Sequence, residues 1–580
     1  MSMTNKRKGI FLYILGVLIL FISTFSDHIT GRPLYFGQKQ ISLTIFGFAV
    51  ICFGRYIQGV KTKDIYLSIK NKLLPHKHII SVVIFVSIIL LLIYPLQYIY
   101  NYLFFPFPLE YRDAASIHAS VAFSNGINPY NLQNFPENIY LYGLMFPLVL
   151  APFINLVDHP LIAAKGIEVL FLIMLLYISF RIFRKQKASI ISSLIGILIL
   201  LNSACVMWKI NGTRPDVPGL FFCIFAYRAI TKKEPDINQI FLCALSCVLS
   251  FYFKQYMIYS ALIVAIYLFF FISKQKGLVF IIITIMIGLF SFLLVKTYFP
   301  LYYEYSILHH IRIVSSNISY MEMQTKFFLR YFWMFCFLYL IFLYKKFAGN
   351  GFRRLKEIRL KPIKLYTPIL RGDSEDLFNV GIIITTLILT FIMGRHQGNF
   401  YTYYGELLLP FLLFLTIPKL DELLKLDLIR YCYQGVILIF CILPFKEYFI
   451  TDFISYQHAF SILYEYADQC QNIYDETPLI AVYKIENNMF PVFNNGQIQY
   501  AWSAIPDKNT ALGALSTLSV EELDWQLSEW YDGIENDIQN QRFDCIFTES
   551  DQSFENYEQK IEIDGLLLER TVNIWVPQNH

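Results

Sequence analysis

Long apolar runs alternate with short polar turns along this chain, and the runs have the length of membrane crossings. Segments such as GIFLYILGVLILFIS, IISVVIFVSIILLLIYPL and GLVFIIITIMIGLFSFLLV approach the ~20 apolar residues a helix needs to cross a bilayer. The pattern predicts about thirteen spans, near 9–26, 41–59, 79–103, 160–183, 188–206, 215–231, 237–254, 256–273, 277–298, 327–345, 378–394, 403–418 and 431–446. The stretch 237–273 is almost unbroken apolar sequence. As one helix it would run about 55 Å, against a hydrocarbon core of about 30 Å, so two helices with a hinge near Lys254-Gln255 are expected. Leu141 to Val157 also has the look of a span. Counting it would reverse the sidedness of everything after it, so with Pro147 and Pro152 it is read as a re-entrant or juxtamembrane helix.

Beyond residue 446 the pattern changes. FISYQHAFSILYEYADQCQ and VEELDWQLSEWYDGIENDIQ have helical spacing with polar faces, whereas LIAVY, FDCIF and VNIWV are short β-branched or aromatic runs that read as strands. The expected fold is therefore an all-α polytopic membrane bundle of about 13 transmembrane helices over 1–446. Within it, 104–159 is an external loop with juxtamembrane helices, and a small extracytoplasmic α/β domain follows over 447–580.

Composition agrees with a membrane protein. Of 580 residues, 56% are hydrophobic and 16% charged, well below the ~25% charged residues of soluble domains; the mean hydropathy is +0.48. The first run follows Lys6-Arg7-Lys8 with no small-x-small cleavage site before Asp27, as a retained anchor would. The net charge of +5 marks sidedness and implies no nucleic acid. Lys345 to Arg371 holds nine Lys and Arg residues, while the tail from Lys446 has 23 acidic against 6 basic residues. By the positive-inside rule, the N-terminus is cytoplasmic and the acidic tail lies outside the plasma membrane. Eight of the ten cysteines sit in or beside apolar spans without metal-ligand spacing; Cys470 and Cys545, in the polar tail, are open to a disulfide.

The outer-facing polar residues are few. Glu110, Arg112, Asp113 and His118 open the first large loop, and Lys209, Asn211, Arg214 and Asp216 follow at the next turn. Lys254 and Gln255 sit at the hinge, His309-His310 after the ninth span, and Arg395, His396 and Glu406 near the eleventh and twelfth. Ionisable groups cost about 2.5–3.5 kcal/mol each at a helix centre, so those at span ends usually have a partner or a task. Acids and cations meeting at one membrane face suit transfer from a lipid-linked phosphosugar. A carboxylate takes the proton of an attacking hydroxyl, and Lys or Arg stabilises the departing phosphate. Simpler readings stand beside these. Asp113 also fits a cap for the ASIHASVAF run, Lys254 a snorkelling lysine, and NGINPY an ordinary turn. Arg214 and Asp216 read as a structural pair. Adjacent histidines do not assemble a metal site by themselves, and Asn211-Gly212-Thr213 is a glycosylation pattern that recurs by chance.

Several of these motifs together resemble the GT-C superfamily of membrane glycosyltransferases, which includes protein O-mannosyltransferases and the lipid A aminoarabinose transferase. They are Glu110-Tyr-Arg-Asp113 after an early span, NGINPY at Asn125 to Tyr130, and Tyr140-Leu-Tyr142-Gly with Pro147. RPD at Arg214 to Asp216, FKQ at Phe253 to Gln255, and GRHQGNFYTYYGE at Gly394 to Glu406 complete the set. The resemblance implies an inverting transferase using a polyprenyl-phosphate-linked sugar, with a lipid, glycan or protein as acceptor. It implies Asp113 as base and Glu110 as supporting acid. Lys254, Arg214 and Arg395 would bind the donor phosphate; Tyr130, Tyr142, Gln255 and His396 would line the substrate site. No cofactor is expected; the lack of a carboxylate or histidine cluster argues weakly against an obligatory metal, although some members of the superfamily bind divalent ions. Two rival classes are a lipid-linked glycan flippase, which would want charges in mid-span, and a surface-polysaccharide polymerase or ligase.

Overall fold

The computed structural model describes residues 77–108, 111–134, 140–154, 156–157, 159–206, 213–231, 234–308, 374–394, 400–423, 453–476, 479–480, 492–493, 520–548, 553–566 and 570–578, with positions 15 and 434. Among the described residues, eleven α-helices precede the tail: α1 Lys77–Phe104, α2 Tyr111–Ser124, α3 Met145–Ile154, α4 Pro160–Lys185, α5 Ile190–Val206, α6 Asp216–Ile230, α7 Ile237–Phe253, α8 Tyr259–Tyr267, α9 Lys274–Tyr298, α10 Ser374–Gly394 and α11 Phe400–Leu423. The expected spans near 9–26, 41–59, 327–345 and 431–446 fall outside the described residues, apart from positions 15 and 434.

Among the described residues, four helical stretches are long and apolar enough to cross a membrane: Ser81–Phe104, Pro160–Lys185, Gln255–Ile272 and Lys274–Tyr298. Their surfaces say what surrounds them. α9 turns Leu278, Ile282, Ile285, Met286, Leu289 and Phe290 outward. Such a continuous apolar face is unstable in water and at home in hydrocarbon. This is an integral membrane protein.

Helix boundaries follow local chemistry. Pro160 sits at the first position of α4, where its missing N–H costs nothing. Asp236 and Gln239 form a reciprocal capping box at the start of α7, with Gln239 N donating to Asp236 Oδ1 at 2.9 Å and Asp236 N to Gln239 Oε1 at 3.2 Å. The expected hinge is present: α7 ends at Phe253, Lys254 is extended (φ −147°, ψ 113°), and a 3-10 turn over Gln255–Ile258 leads into α8. The stretch before α4 holds α3, whose 10 residues are too few to span.

The tail contains α12 Phe453–Asp468, α13 Val520–Gln539 and a five-stranded sheet of β1 Ile473–Asp475, β2 Val492–Phe493, β3 Cys545–Thr548, β4 Tyr557–Leu566 and β5 Arg570–Pro577. The strand order is β2-β1-β3-β5-β4. β1 pairs in parallel with β2 and β3, and β5 pairs antiparallel with β3 and β4. A Cys470–Cys545 disulfide ties the end of α12 to β3, with Cα atoms 5.9 Å apart. LIAVY does not begin as a strand: Leu479 and Ile480 are helical, and the strand lies earlier, at Ile473–Asp475. Asp475 explains the change, because its Oδ2 accepts from Ile480 N at 2.9 Å and so holds the start of the helical turn. The core runs unbroken from bundle to tail, since Phe107, at the end of α1, stacks on Phe460 and lies 5.2 Å from the Tyr464 ring.

Candidate functional site

Chain direction gathers the polar residues. α1 and α7 end where α2, α4 and α6 begin, so Tyr102, Asp113, Lys165, Glu168, Thr213 to Asp216 and Lys254 meet at one end of the bundle. Asp113 is the third residue of α2, fully buried, where the amino end of the helix favours a negative charge. Its Oδ1 accepts from the Thr213 backbone N–H and, at 3.0 Å, from the Thr213 hydroxyl. Asp113 therefore lies inside the first turn of the helix rather than capping it. Glu110 lies outside the described residues, as do Arg395, His396 and His309-His310.

Asp216 opens α6 and forms an ion pair with Lys254 at 3.0 Å; the Tyr256 hydroxyl donates to it at 3.4 Å. Lys254 is buried beside the hinge rather than snorkelling, with its Nζ 5.9 Å from the Tyr142 ring centre and 6.0 Å from that of Tyr256. Arg214 is buried as well.

Two residues of this cluster escaped the sequence reading, Lys165 and Glu168, both fully buried on α4. Lys165 Nζ donates to the carbonyls of Phe105 at 2.7 Å and Phe107 at 3.1 Å, clamping the chain that leads into α2. The Tyr102 hydroxyl donates to Glu168 Oε2 at 2.7 Å, while Glu168 Oε1 has no hydrogen-bond partner among the described residues. Glu168 is within electrostatic reach of Asp113, Asp216 and Arg214. The overlooked signal was the presence of two ionisable side chains inside an otherwise apolar span, which by default marks a functional position.

Beside the charged cluster lies an aromatic wall. NGINPY is a turn: Gly126, in the left-handed region at φ 76°, ends α2. Asn128 then bonds the Tyr298 carbonyl at 2.6 Å and the Tyr130 N–H at 3.0 Å. Tyr130 is fully buried and its hydroxyl donates to the Tyr142 carbonyl at 3.0 Å. Tyr140, Tyr252, Tyr302 and Tyr305 complete the wall, and Trp530 and Tyr531 of α13 pack against it. The Gln255 side-chain nitrogen is buried next to the hinge with no hydrogen-bond partner among the described residues, an orphan donor of the kind a ligand satisfies.

Two consequences can be measured. A Cβ on Gly143 would run into the Phe253 carbonyl, immediately before Lys254. Gly143→Ala should therefore displace the hinge, costing about 1–3 kcal/mol by overpacking and lowering the melting temperature. Burial also pushes the His118 imidazole down to about 4 from its ordinary 6.5. Its folded pKa lies below the unfolded one, so the unfolded chain takes up the proton first as pH falls. The contribution is full above pH 6.5 and is lost as pH falls through 4, amounting to about 3 kcal/mol. Melting curves between pH 7.5 and 4.5 should fall less steeply for His118→Gln than for the native chain.

No protein-family model matches this chain, and no curated protein does. Among solved structures, ArnT from Cupriavidus metallidurans bound to undecaprenyl phosphate is similar, with 11% sequence identity and a TM-score of 0.49, over 84% of this chain and 98% of that one. The same protein in its apo state gives 13% identity and a TM-score of 0.47, over 84% and 97%.

Proposed function

We propose that the chain is a membrane glycosyltransferase that moves a sugar from a polyprenyl-phosphate carrier to an acceptor hydroxyl at the outer face. The observation that carries this reading is a buried carboxylate, Asp113, held by Thr213 at the same end of the bundle as the buried cations Arg214 and Lys254. In the reaction, the acceptor oxygen attacks the anomeric carbon while Asp113 takes its proton. The bond from that carbon to the phosphate oxygen breaks, and polyprenyl phosphate leaves with the electron pair. A single displacement inverts the anomeric centre. Arg214 and Lys254 stabilise the charge gathering on the phosphate, and Asp216 holds Lys254 in place. Tyr142 and Gln255 face the sugar and Tyr130 braces the wall behind them; the resemblance adds Glu110 as a supporting acid, Arg395 as a phosphate ligand and His396 as a substrate ligand.

The Cys470–Cys545 disulfide supports a tail on the oxidising, outer side. Among the described residues, the buried charges of α4, Lys165 and Glu168, lie in about its first third, which supports transfer over transport, a process that would need charges along a path. The test presents purified protein in nanodiscs with a panel of polyprenyl-phosphate sugars and candidate acceptors. Acceptor-dependent release of free polyprenyl phosphate from one donor is expected; no release from any donor by folded protein would overturn the reading.

A further inference from the structure

Lys165 and Lys185 stand at opposite ends of α4, about 30 Å apart at ~1.5 Å per residue, or one membrane thickness. At the far end, where α4 gives way to α5 and α11 runs out, lies a cavity of about 810 Å³. Its wall includes three cations, Arg184, Lys187 and Lys419, and one acid, Asp421.

The acid is committed to the protein. Asp421 Oδ2 accepts from Ser189 N at 2.5 Å, and its Oδ1 accepts from the hydroxyls of Ser189 at 3.3 Å and Ser192 at 2.9 Å, which fixes it on the amino end of α5. Arg184 donates to the Ala188 carbonyl as well, and among the described lining residues cations outnumber acids. Lys187 occupies the position after a helix end that normally takes glycine. Its φ is 66°, while Ala188 N closes the turn onto the Phe183 carbonyl at 3.0 Å. A lysine there is strained where glycine would not be, yet its exposed side chain adds a positive charge to the cavity.

We propose that this cavity binds a phosphate-bearing anion, supplied by an anionic phospholipid headgroup. Three observations converge on that occupant. The cavity sits at the end of a spanning helix, at headgroup depth. It is open and lined by cations from two separate chain segments. Basic pockets between spans recognise anionic headgroups through charge, at about 1 kcal/mol for each Lys or Arg. The site is separate from the transferase centre and does not depend on that reading.

The test uses the full chain in neutral detergent, titrated with phosphatidylglycerol, phosphatidylcholine or inorganic phosphate while thermal unfolding is followed. Phosphatidylglycerol should raise the melting temperature and phosphatidylcholine should not. The Lys187→Gly/Lys419→Gln variant should bind phosphatidylglycerol roughly 30-fold more weakly, as expected for two lost charges. Lys187→Gly alone should melt no lower than the native chain in neutral detergent, because glycine relieves the left-handed residue, and this separates lost binding from lost folding. A rise with inorganic phosphate alone that the double variant abolishes would keep the anion site and overturn the lipid as its source. An equal phosphatidylglycerol response in native and variant chains, or none in either, would overturn the proposal.

Discussion

Asp113→Asn is expected to lower sugar transfer by about 10²- to 10⁴-fold while leaving the protein folded. Asparagine has the shape of aspartate, and its carbonyl oxygen can still accept from the Thr213 N–H and hydroxyl. It cannot take up a proton. Melting temperature should therefore stay level as turnover collapses. Single-turnover measurements with saturating donor would locate the loss in the chemical step. Undiminished transfer by this variant would remove Asp113 from the mechanism.

The second large effect concerns the Lys254–Asp216 pair. Lys254→Met leaves a carboxylate, and Asp216→Asn leaves an ammonium, buried without its opposite charge. Breaking a buried pair in this way costs about 3–5 kcal/mol, a large share of a net folding stability that is itself about 5–15 kcal/mol. The double variant Lys254→Met/Asp216→Asn removes both charges and should regain most of that loss. Its activity should not return, because the cation proposed to face the departing phosphate is gone. Stability recovered without turnover is the pattern that separates a role in the reaction from one in the scaffold. Turnover recovered together with stability would make the pair purely structural.

The helices were legible because bilayer thickness limits how long an apolar run can continue before it must turn. That limit placed the hinge at Lys254-Gln255, and the polar faces of α12 and α13 identified them from spacing alone. Short strands were harder. β1 has three residues, and β4 sets charges at Glu558, Lys560, Glu562 and Asp564 on alternate positions, a half-exposed strand without the β-branched or aromatic run that marks β3 and β5. Asp113 could be found as an acid in the loop after an early span. The partner of Asp216 could not, since Lys254 lies 38 residues away and only the packing of α6 against α7 brings them together. Lys165 and Glu168 were hidden for a different reason. Hydropathy averages over a window, and twenty apolar neighbours outvote two charges.

The stack of Phe107 on Phe460 bears on how such a protein can be divided. Phe107 is held from below through its carbonyl by Lys165 and from above through its ring by α12, six residues before Asp113. A chain cut ahead of α12 would lose the upper hold and free the approach to the proposed base. Loss of activity on truncation would then report a loosened loop as readily as a lost binding module. The same contact limits exchange: a tail grafted from another protein would need an aromatic where Phe460 stands to keep the hold on Phe107.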